Sequence, residues 1–130
     1  METNEIKNTT VQPGSDAFSV DDDTPKEAAS IGIFTHKFTR PFTYEGRTYE
    51  ELTFDLEQLT GRDSRLIENE LRAAGHVVLV ANFDSDYLIR VCARACTEKI
   101  GWDALEAMPI SDYNAIKNRA RNFLTRSASK

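Results

Sequence analysis

Residues 41–54 read PFTYEGRTYEELTF, with aromatic side chains on both sides of a Glu45-Gly46 pair. Gly tolerates the positive φ that a tight two-residue turn needs, so this stretch is expected to fold back on itself as a β-hairpin. The outgoing strand carries Ile33, Phe34, Phe38, Phe42 and Tyr44, and the return strand carries Tyr49, Leu52, Phe54 and Leu56. Pro41 cannot donate a ladder hydrogen bond and marks an edge or a bulge. The step from Tyr49 to Leu52 breaks strict alternation, which places a bulge or a strand start near Glu51. A two-stranded sheet cannot hide four large rings by itself. Some of Phe42, Tyr44, Tyr49 and Phe54 must therefore meet helices or another chain.

Beyond the hairpin the apolar residues recur at helical spacing. Thr60 with Asp63 three residues later forms a helix entrance, and Leu66, Ile67, Leu71 and Ala74 recur on one face until Gly75. Asp84 or Ser85 caps a second helix with Tyr87, Leu88, Val91, Cys92 and Ala95 as its stripe, and Gly101 closes it. Asp86 with Arg90 and Arg94 with Glu98 have the four-residue spacing of helical ion pairs. WDALEAM makes two turns before Pro109, and Ser111 caps a last helix carrying Tyr113, Ile116, Ala120, Phe123 and Leu124. The run HVVLVANF (76–83) fits a buried strand, a helical turn or a tucked connection equally well. The expected architecture is α+β, a hairpin packed on three to four helices.

Of the 130 residues, the first thirty hold seven acidic and two basic side chains, which accounts for the whole net charge of -5. This leader is too polar to offset its backbone entropy, and residues 1–30 are expected to be disordered. A single domain is expected over residues 31–126, with a flexible tail at 127–130. The body is neutral, and one basic C-terminal end is a poor footprint for a phosphate backbone, so no nucleic-acid partner is expected. No run approaches a membrane span, and the N-terminus lacks the apolar segment of a secretory signal.

Catalytic sets are missing. TGRDS has neither the spacing nor the Lys of a phosphate loop. His36 and His76 are forty residues apart, and neither has a zinc-site neighbourhood in sequence. Cys92 and Cys96 belong to an apolar helix and are expected in the core of a protein from a reducing compartment. No cofactor, metal or enzymatic activity is expected.

The order of PFTYEGRTYEELTF, LTGRDSRLIENEL, SDYLIRVCARACTEKIGWDALEAMPISDY and NAIKNRARNFL resembles the tail assembly chaperones of long-tailed bacteriophages and prophages, in particular the Mu-type and P2-type proteins. The resemblance runs from about Phe34 to Leu124. It implies a non-enzymatic protein of the host cytoplasm, absent from the mature virion, that binds the tape measure protein before the tail tube polymerises. The tail tube protein is a further candidate partner, and self-association is open. The alternative is a minor structural or tail-completion protein that stays in the virion. Trp102 has two readings, a core filler between the last helices or a partner contact of the kind in which tryptophan is over-represented. With Phe42, Tyr44 and Tyr49 it makes up the candidate partner-binding set.

Overall fold

The computed structural model describes residues 31–128; the leader at 1–30 lies outside the described residues. Strands β1 (Ile33–Tyr44) and β2 (Arg47–Asp55) form an antiparallel hairpin, followed by α1 (Gly61–Ala73), α2 (Ser85–Ala95), α3 (Trp102–Ala107) and α4 (Ile110–Ala128). This is the α+β arrangement of a hairpin on four helices.

The turn has φ of 50° at Glu45 and 81° at Gly46, the paired left-handed geometry that matches the twist of a two-residue hairpin. Tyr44 pairs with Arg47, Phe42 with Tyr49 and Lys37 with Glu51. Residues 38–41, Pro41 among them, therefore stand against Glu50 alone. The irregularity expected near Glu51 is real, but most of the extra chain belongs to β1, while β2 runs unbroken. Phe38 keeps the inward phase of Phe34 and His36 at the start of this irregular stretch, and its ring centroid lies 5.4 Å from that of Phe42.

The hairpin's inner face, with Leu52 and Phe54 fully buried, closes on Leu88, Cys92 and Ala95 of α2, Leu105 of α3 and Ile116 and Ala120 of α4. Each large side chain taken fully out of water contributes about 1.5–3 kcal/mol. Helix α1 begins as its sequence predicts: the Asp63 carboxylate accepts hydrogen bonds from the Thr60 backbone N–H (2.8 Å) and hydroxyl (3.2 Å). It ends at a left-handed Gly75 (φ 91°), where the N–H of His76 donates to the Leu71 carbonyl.

Other boundaries differ from expectation. Helix α2 stops at Ala95, well before Gly101. Cys96 forms an antiparallel bridge to Phe54, and the Thr97 N–H donates to the Thr53 carbonyl, so the hairpin edge takes the chain out of the helix. Glu98 then accepts from the Thr53 N–H and is not the partner of Arg94. Arg94 instead reaches across to Asp63 (2.9 Å), and Arg90 to Glu70 (3.3 Å), so the ion pairs join α1 to α2. Ser111 does not cap α4. That helix starts at Ile110, and the Pro109 carbonyl accepts its first backbone bond, from Tyr113.

The buried charged group among the described residues is Asp112, 4% exposed in the first turn of α4, whose carboxylate lies 2.8 Å from Nε2 of His36 on β1. This contact ties the hairpin to the last helix. His36→Ala leaves the carboxylate buried without that partner, and we expect a loss of about 1–3 kcal/mol in urea unfolding followed by circular dichroism. A loss below about 0.5 kcal/mol, the size of an ordinary surface substitution, would show the link to be dispensable.

Candidate functional site

The HVVLVANF run is an irregular connection from α1 to α2, with a short 3-10 turn at Ala81–Phe83. Val78 and Ala81 pack inward against the core. Val77, Leu79, Val80 and Phe83 face solvent, Leu79 at 87% and Phe83 at 68% exposure. The backbone around them is tied down. Nε2 of His76 lies 2.7 Å from Oδ2 of Asp84, bridging the two ends of the loop. The N–H groups of Phe83 and Asp84 donate to the carbonyls of Val80 and Ala81, and Arg121 of α4 donates from Nε to the Asn82 carbonyl at 3.3 Å. The same guanidinium sits 5.8 Å from the centre of the Phe83 ring. Four apolar side chains clustered on a pinned loop form the kind of exposed patch that marks an interaction site.

Next to Arg121 on α4, Phe123 and Leu124 line a groove of about 230 Å³ with Leu59, Ile67 and Val91. In it the hydroxyls of Ser64 and Tyr87 share a hydrogen bond of 2.7 Å. The groove is mostly apolar and wide enough for one or two large side chains of a partner.

The candidate aromatics lie elsewhere and are not equivalent. Phe42 is buried, with its ring 6.1 Å from that of Tyr44. Tyr44 and Tyr49 are half-buried, and Tyr49 carries the Arg47 guanidinium at 5.7 Å. Trp102 is 40% exposed, which sets aside the core-filler reading, and the Arg90 guanidinium covers its ring at 4.4 Å. The Tyr44 hydroxyl donates to Asp103 at 2.6 Å, so Tyr44 meets the start of α3 beside Trp102. That hydrogen bond, with burial and the Asp103 charge behind it, pushes the Tyr44 phenol up to about 12.

Among the described residues no activated nucleophile or shared histidine site emerges. Burial pushes the Cys92 thiol up to about 12 and raises that of Cys96, the opposite of what thiolate chemistry needs. His36 and His76 are held by different carboxylates, Asp112 and Asp84. Burial pushes the Asp84 carboxyl up, but hydrogen bonds from the Tyr87 N–H and from His76 outweigh it and hold it below the usual range. The donor atoms of His76, Asp84 and Asp86 lie within 4.8 Å of one another, a cluster that sequence spacing alone did not reveal. The exposed loop was also missed as a site, although the unbroken apolar run VVLV was its signal. Among the described residues no helix is long and apolar enough to cross a membrane.

The family model described as phage tail assembly chaperone proteins, E, or 41 or 14, matches residues 35–125. No curated protein and no solved structure matches the chain.

The Tyr44–Asp103 bond is directly testable by absorbance titration, with Tyr44→Phe identifying the signal. The Tyr44 step is expected near pH 12, and Asp103→Asn should return it toward the ordinary value of 10. Because the folded value is the raised one, the stabilisation is fully present below pH 10 and disappears as pH rises through about 12.

Proposed function

Because the chain belongs to the phage tail assembly chaperone proteins, we propose that it binds the tape measure protein and keeps this client soluble until the tail tube polymerises around it. The observation that supports this reading is the pinned loop that turns Val77, Leu79, Val80 and Phe83 to solvent. A tape measure protein is long, helical and partly apolar. It aggregates unless its apolar stretches are covered, and a helix laid against the loop and the groove beside Phe123 and Leu124 would cover them. Several weakly bound copies along one extended client gain strength through effective concentration. The work is stoichiometric and non-enzymatic, done in the host cytoplasm, and the protein leaves before the virion matures. The tail tube protein is a second candidate partner, and Tyr44, Tyr49 and Trp102 are a second contact region on the hairpin and α3 side.

Co-expression with a phage tape measure protein, followed by size exclusion, tests the reading. A complex is expected. The double substitution Leu79→Ser with Phe83→Ser should weaken it at least about tenfold, or about 1.4 kcal/mol, with an unchanged melting temperature. Trp102→Ala tests the other side. Absence of any complex counts against the reading, and stoichiometric protein in mass spectra of purified particles would favour a virion component instead.

A further inference from the structure

We propose that His76, Asp84 and Asp86 bind one divalent transition-metal cation, which clasps the two ends of the apolar loop. The ligand atoms come from two elements: an imidazole just past the end of α1 and two carboxylates at the start of α2. Nε2 of His76 lies 2.7 Å from Oδ2 of Asp84 and 3.8 Å from Oδ2 of Asp86, and the three atoms fall within 4.8 Å of one another.

Two of the three ligands are already held in place. The His76 backbone is fixed by its bond to the Leu71 carbonyl after the left-handed Gly75. Asp84 divides its oxygens, with Oδ1 accepting from the Tyr87 N–H at 2.9 Å and Oδ2 turned to His76. Asp86 is more than half exposed and has room to swing in. The nearby Lys117 ammonium is directed at the Ser85 hydroxyl, 3.2 Å away.

A metal about 2.0–2.2 Å from each donor needs donors roughly 3.2–3.6 Å apart, so the His76–Asp84 contact opens by less than about 1 Å and Asp86 closes by a similar amount. One imidazole nitrogen with two carboxylate oxygens, and positions left for water, suits Zn²⁺ or Mn²⁺ better than the all-oxygen preference of Ca²⁺ or the thiolate preference of Cu⁺. With Asp84 ionised, the 2.7 Å contact places a proton on Nε2. A metal at Nε2 takes the place of that proton, so the bound form is the neutral imidazole with its one proton on Nδ1; the Nε2 proton moves to Nδ1 through solvent or, where both nitrogens carry protons, leaves to water.

The site needs no client, so its failure leaves the proposed function untouched, whereas loss of client binding by the metal-free protein would not bear on the site. Untagged, metal-stripped full-length protein is titrated calorimetrically with Zn²⁺ and with Mn²⁺, and with Co²⁺ while visible absorption is followed. We expect saturable binding of one equivalent, Co²⁺ bands without a thiolate charge-transfer band, and a raised melting temperature. His76→Ala should abolish binding. Asp86→Asn, at an exposed position, should weaken it at least tenfold while leaving the metal-free melting temperature unchanged. Binding weaker than millimolar, or equal binding by both variants and the parent, would overturn the proposal, the second result pointing to the acidic residues at 1–30.

Discussion

The fold depends on the burial of α2. Leu88, Cys92 and Ala95 on this helix are fully buried, and it packs against α1, α3, α4 and β2. The small side chains at Cys92 and Ala95 let neighbouring backbones approach closely. The Cys92 thiol lies 3.7 Å from the Ile116 carbonyl of α4, and the chain just past Ala95 adds a bridge to β2 at Phe54. With α2 at the centre, the hairpin lies over one part of the core while α1 and α4 flank it. The connection from α1 to α2 has to run over the surface.

That connection gathers four of the exposed large apolar side chains among the described residues. Elsewhere the body settles its polar groups internally: Asp63 serves both the α1 entrance and Arg94, Glu70 receives Arg90, and Asp112 meets His36. The helix-to-helix ion pairs are partly exposed and contribute little stability each. Their value lies in fixing how α1 sits on α2, which in turn fixes where the loop emerges. The scaffold thus presents four apolar side chains together on a tied loop, the kind of exposed patch that marks an interaction site. Burial raises both thiols, and the two histidines are held by separate carboxylates.

Features governed by neighbouring residues were legible in the sequence. The Glu45-Gly46 turn, the Thr60–Asp63 entrance, the Asp84 cap and the stop at Gly75 each depend on two to five adjacent residues, and each formed where their chemistry requires. The end of α2 was not legible, because a hydrogen bond from Thr97 to Thr53 decides it, and those residues are far apart in the chain. Arg94 had two acids within reach in the fold and one in the sequence, and the folded geometry selected Asp63.

By itself, the sequence determined the α+β class, the order of hairpin and helices, the core stripes and the family, because periodicity, turn residues and caps are local and survive without knowledge of packing. The tertiary structure decided which apolar residues remained outside. Phe42 went into the core and Leu79 out to solvent, although both are large and hydrophobic. Only the packing of distant segments sets how much room the interior has, and a composition with more apolar groups than interior positions does not say which are left over.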